Sequence, residues 1–305
     1  RGLLVRLTDS WQDILKRRAQ NQETGAYPEP VRHLLGEMTA AAVLMQANIQ
    51  FEGALVLQLH GQGPLQLAVV EVQSDLRLRA MAKTNGNVSP GMRFDEMANQ
   101  DNLGRCAITL DPVGRRPGQQ PYQGVVSLYD DQKQPLLRFS DVLAHYMLQS
   151  EQLDTTLVLA ANDQVAAGLL IQRLPMAGQA NLAGPQILAE EDAIGRSEDY
   201  NRIAMLANSL SADELLQLAL AGLRAFAQHH DGADRHEREQ IDHEFGHMIV
   251  QGDATLLLDI DDFEHRFLHP ACIAVANRVD SDTAYYMMQN TANRVGTPGT
   301  APTQF

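Results

Sequence analysis

Cysteine is nearly absent from this chain, with only Cys106 and Cys272 in 305 residues. Two thiols so far apart cannot make a disulfide framework, so the expected compartment is a reducing cytoplasm. Long apolar runs are also missing: no stretch approaches the ~18 residues that suggest a membrane span. Nothing at the N-terminus resembles a signal peptide. Lysine and arginine form no long run and the net charge is −14. That balance argues against sequence-independent nucleic-acid binding, which needs clustered cations to displace counterions, and against binding to anionic membranes.

What is present is an ordinary globular composition, 44% hydrophobic and 20% charged, long enough for one large or two ordinary domains. Residues 51–72, FEGALVLQLHGQGPLQLAVVEV, read as a hairpin. Leu55, Leu57 and Leu59 alternate with Val56, Gln58 and His60, the period of a strand with one buried face. Gly61-Gln62-Gly63-Pro64 breaks the run, with the glycines expected to supply positive φ. Leu65, Leu67 and Val69 are expected to resume the alternation. The turn lacks the GxGxxG spacing and leads into a strand, so it is no phosphate-binding loop.

Residues 11–20 read as a short helix and 31–49 as a strong amphipathic one, with Leu34, Leu35, Met38, Ala42 and Met45 on its stripe. Strands are expected at 76–83, 106–110 and 122–128. A helix follows at 140–153, with Val142, Leu143, Tyr146 and Met147 inward. A second hairpin spans 155–161 and 166–174 around Asn162-Asp163. Short turns between strands, with helices inserted irregularly, predict an α+β fold rather than a doubly wound sheet. The expected division is a first domain over 1–175, a linker and helical region over 176–228, a divergent His-rich segment over 229–295 and a disordered tail over 296–305. Within the second region, helices are expected at 198–209 and 211–228. The latter opens on a capping box, Ser211 with Glu214. The methionines Met38, Met45, Met147 and Met205 fit helix core positions.

Seven of the ten histidines lie between His229 and His269, among them His243-Glu244-Phe245-Gly246-His247. On a helix this HExxH spacing sets two imidazoles one turn apart to hold a zinc ion, and the Glu can activate a bound water. A third ligand would come from Asp253, Glu264 or His265, giving His243, His247 and Glu264 as the candidate set. The same residues also read as the solvated face of an amphipathic helix, since Ile241, Phe245, Met248 and Ile249 gather on the opposite side. Cys106, in a strand, reads as a small buried hydrophobe, and Cys272 as an inert buried thiol.

Taken as a whole, the hairpin resembles the heat shock protein 33 family, the redox-regulated, ATP-independent chaperones of bacteria. The segment from Tyr27-Pro28-Glu29-Pro30-Val31, GQQPYQGVV at 118–126, HYMLQSEQL at 145–153, AAGLLIQRLP at 166–175 and LANSLSADELL at 206–216 resemble it in the same order, over roughly residues 1–218. The resemblance implies a holdase that binds unfolded or partly folded client proteins in the cytoplasm, and not an enzyme. It allows a homodimer, and a short leading segment before Arg1. It also implies zinc held by four cysteines in Cys-x-Cys and Cys-x-x-Cys pairs, and these pairs are not in this sequence. The expectation is therefore a holdase without the usual redox switch, with no assured cofactor. The alternative is a zinc-dependent hydrolase built on HEFGH.

Overall fold

A computed structural model describes residues 2–22, 24–49, 51–114, 121–173 and 198–217, and the backbone of 247–250 and 253–258. Its centre is a helix. α1 (Asp9–Ala19) and α2 (Glu29–Asn48) follow the first strand, β1 (Gly2–Leu7). α2 enters through Pro28 and Pro30, which suit a first turn because its N–H groups have no helical partner. Its expected stripe is buried, but so are Val31, Ala40, Ala41, Val43 and Leu44. The helix is thus apolar around most of its surface rather than along one face, because a sheet packs on either side of it. Thr39 is accommodated there by donating its hydroxyl to Leu35 O at 2.6 Å.

Sheet B takes the order β4-β3-β2-β5-β6, all antiparallel, from β2 (Gly53–His60), β3 (Leu65–Gln73), β4 (Leu78–Thr84), β5 (Arg105–Pro112) and β6 (Tyr122–Ser127). Leu55, Leu57 and Leu59 face the core as expected. Leu67 and Val69 do not. A register shift between Leu65 and Leu67 inverts the phase, and Ala68, Val70 and Val72 are the buried residues of β3. The turn glycines also act differently from the expectation. Neither Gly61 nor Gly63 has positive φ. A Cβ at Gly61 would lie 2.0 Å from Leu65 O, and one at Gly63 2.6 Å from Met97 O, so close backbone approach is what excludes a side chain. Leu76, expected to open a strand, sits instead in the β3–β4 turn with φ 61°.

Sheet A takes the order β7-β8-β1-β10-β9. It contains β7 (Thr155–Ala161), β8 (Ala166–Gln172), β9 (His247–Val250) and β10 (Asp253–Leu258). The β7–β8 turn forms at the expected residues, with Asn162 Oδ1 accepting from Gln164 N and Val165 N, both at 2.8 Å. Trp11 Nε1 donates to Asn162 O at 2.8 Å and fastens α1 to this turn. β1 lies between β8 and β10, so the segment expected as divergent contributes strands to the sheet that opens the chain.

The short α3 (Phe94–Ala98) precedes β5, and α4 (Phe139–Tyr146) bridges β6 and β7. α4 does not continue to residue 153: it passes into a π-turn over Met147–Glu151 that ends at Gln152 with φ 55°. Its four inward residues, Val142, Leu143, Tyr146 and Met147, are buried as expected.

Candidate functional site

β8 is a strand buried on both faces. Ala166 and Leu170 join the core around α2, whereas Ala167, Leu169 and Ile171 point the other way. Leu4 of β1 and Ala160 of β7 extend this outward apolar surface, with Val165 at its rim and Val158 half-buried. The period-2 geometry of a strand therefore gives sheet A a second apolar face, opposite α2.

That face is covered by α5 (Glu198–Asn208) and by the helical turn over residues 212–217. Ile203, Ala207 and Leu215 are fully buried against it, and Leu206, Leu210 and Leu216 partly so. Tyr200 OH and Thr156 Oγ1 lie 3.0 Å apart, and burial pushes the Tyr200 phenol up to about 12 while the Thr156 contact pulls it down. The predicted capping box starts the next turn: Ser211 N donates to Glu214 Oε2 at 2.8 Å, and Glu214 N to Ser211 Oγ at 3.3 Å. Met205 departs from its expected core position. It faces outward, 73% exposed, because the 203/207 side of α5 turns to the sheet.

Each large apolar side chain so buried contributes about 1.5–3 kcal/mol, and among the described residues of the cover only Ile203 and Leu215 are both large and buried. An apolar sheet face under a lightly held helix can be uncovered by local opening while the α2 core stays folded. What it offers once open is an extended hydrophobic surface able to hold other apolar chain segments.

The other candidate centres gain no such support. His247 opens β9 opposite Leu256, so the helix expected to carry HExxH does not run through 247–249. Asp253 opens β10 opposite Val250. His243, Glu244, Glu264, His265 and Cys272 lie outside the described residues, as do the expected linker and tail. Among the described residues no group of three or more His, Cys, Asp or Glu could hold a metal ion. Cys106 is enclosed in the α2 core, where burial pushes its thiol up to about 12. That is a packing residue, not a thiolate ligand.

Comparison with known proteins gives a consistent family. The Hsp33 protein family model matches residues 1–246. The 33 kDa chaperonin of Chromobacterium violaceum is 39% identical over 241 residues, covering 79% of this chain and 70% of that protein. Those of Methylobacillus flagellatus and Neisseria meningitidis are 39% and 36% identical, over 73% and 72% of this chain, and are themselves covered to only 65% and 61%. Among solved structures, the 33 kDa chaperonin (heat shock protein 33 homolog) of Thermotoga maritima aligns over 85% of this chain and 93% of its own, at 15% identity and a TM-score of 0.47.

Proposed function

The chain belongs to the Hsp33 family, and from that premise we propose that it is an ATP-independent holdase whose client surface is the outer face of sheet A, exposed when α5 lifts. The observation that carries this reading is the apolar row Leu4, Ala167, Leu169 and Ile171 beneath a cover anchored by Ile203 and Leu215. The partners are unfolded or partly folded proteins, recognised through apolar segments rather than sequence. A net charge of −14 keeps a molecule that uncovers such a face soluble. The described residues up to 173 form the chaperone domain, with 253–258 returning to pair with β1, and residues 198–217 supply the cover. Among the described residues no helix is long and apolar enough to cross a membrane, and the paucity of thiols fits a reducing cytoplasm.

A four-cysteine zinc switch does not fit these residues. Two cysteines cannot supply four thiolates, and one of them, Cys106, is locked in the core. The trigger is instead local melting of the cover by heat, and no catalytic role is assigned to HEFGH.

The test is suppression of light scattering from a thermally unfolding client enzyme, without ATP. Protection should appear on mild warming and change little when peroxide is added. Absence of protection at every temperature would defeat the chaperone reading. Strict dependence on peroxide would defeat the thermal trigger alone.

A further inference from the structure

A different surface carries chemistry that the holdase reading does not use. Between the last turn of α1 and the β3–β4 hairpin lies a cavity of about 500 Å³. In a chain of net charge −14, four arginines line it: Arg17 and Arg18 from the helix, Arg77 and Arg79 from the hairpin. We propose that this groove binds a condensed phosphate chain, that is, two or more linked phosphate groups held between its two walls.

Arg18 is the fixed element. Its guanidinium carbon stacks 4.3 Å from the centroid of Tyr27, whose hydroxyl accepts from Ala82 N at 2.9 Å. The ring is therefore pinned to β4, and it pins the cation in turn. Arg18 Nε is buried and has no hydrogen-bond partner among the described residues. Stacking already orders this guanidinium, which lowers the ordering cost of binding an oxyanion at its remaining nitrogens.

Arg17, Arg77 and Arg79 are movable. Each is paired, with Asp13 (2.7 Å), Asp75 (2.6 Å) and Glu71 respectively, yet their side chains are 78%, 75% and 79% exposed. The Arg17–Asp13 and Arg77–Asp75 pairs, exposed on both sides, contribute only ~0–1 kcal/mol, so a ligand with denser charge can take over those two guanidinium groups. Arg79 can add its outer nitrogen while Glu71, only 17% exposed, keeps its bond. Phosphate accepts the planar fork in two parallel bonds. The arginines come from two separate segments, so a chain of linked phosphates can engage more of them at once than a single phosphate can. An acidic peptide, with one carboxylate per residue at most, offers these arginines little beyond the carboxylates they already have.

The experiment is calorimetric titration of the full chain with sodium triphosphate, orthophosphate, ATP and a short polyglutamate. Triphosphate should bind about tenfold more tightly than orthophosphate or polyglutamate. ATP binding as tightly as triphosphate would show that the phosphate chain is read in either form, and weaker ATP binding that the free chain is the ligand. Arg18→Gln should weaken triphosphate about tenfold. The double variant Arg77→Gln with Arg79→Gln touches only exposed side chains, so it keeps the test sound if Arg18→Gln fails to fold. It should lose a similar factor, while Arg93→Gln, outside the groove, should lose none. Orthophosphate or polyglutamate matching triphosphate would overturn the proposal, as would unchanged affinity in the double variant.

Discussion

Glu37 stands near the middle of α2 and lines a cavity of about 240 Å³ together with His33, Arg138 and Phe139. Burial raises its carboxyl to about 8, against the opposing pull of the Arg138 charge. A folded-state value above the unfolded 4.5 means that the native chain holds the extra proton between those limits. This residue's stabilisation is thus complete below about pH 4.5 and declines as pH rises through about 8. Glu37→Gln keeps the shape and removes the titration. It should raise stability at pH 8 by about 1–3 kcal/mol, an estimate reduced for the side chain's partial exposure. It should also flatten the decline in Tm between pH 5 and 8, which a pH series of thermal melts reads directly. A slope unchanged by the substitution would place the proton elsewhere. Nothing in the local sequence marks Glu37 as special, because it shares its cavity with Arg138 and Phe139, about a hundred residues away. Cys106 was visible, since a lone thiol in an apolar strand has little other role. Met205 departs from a core position because its neighbours at helical spacing, Asn201, Arg202, Asn208 and Ser209, are polar, and the Ile203, Leu206 and Ala207 side of α5 meets the sheet.

At the scale of elements, local pattern carried most of the information. Both hairpins, α1 and α2 follow from periodicity and punctuation within a residue or two of their bounds. Three features needed tertiary contact to appear. The bulge after Leu65 inverts the inward set of β3, the π-turn ends α4 early, and two flanking sheets bury α2 nearly all round. The alanines Ala40, Ala41 and Ala42 and the glycine Gly36 permit that closeness. A Cβ at Gly36 would stand 2.4 Å from Ala161 Cβ. The β2–β3 turn gives the sharper prediction, because its obstacle is backbone. Gly61→Ala places a methyl against the Leu65 carbonyl, which cannot swing aside without breaking the Gly61 N to Gln66 O bond. Its cost should be about 1–3 kcal/mol, measured by urea unfolding. Gly114→Ala, at φ 68° with open space around it, should cost less, about 1 kcal/mol. The reverse order would mean that the turn relaxes freely.

At the scale of the molecule, the decisive contacts join segments that no local reading connects. β1 is paired by β8 and β10, the arginine groove is assembled from residues 17–18 and 77–79, and α5 returns to cover sheet A. The two apolar clusters are physically distinct: one surrounds α2 between the sheets, and the other lies outside sheet A. They should therefore respond differently to the same insult. Leu57→Asp puts an unpaired charge in the α2 core and should cost several kcal/mol, on the order of the whole stability. Ile203→Asp puts the same charge beneath α5, where water can be reached by lifting one helix. It should detach the cover and leave the domain folded. Hydrogen exchange would then show lost protection confined to α5 and the turn after it, with the amides of β2, β3 and β5 unchanged. A hydrophobic dye should bind more strongly, and client protection should begin at a lower temperature than in the parent chain. Cooperative loss of protection across both sheets in Ile203→Asp would show that cover and core unfold as one unit. A detachable-cover mechanism would then be untenable, whatever the chaperone activity proved to be.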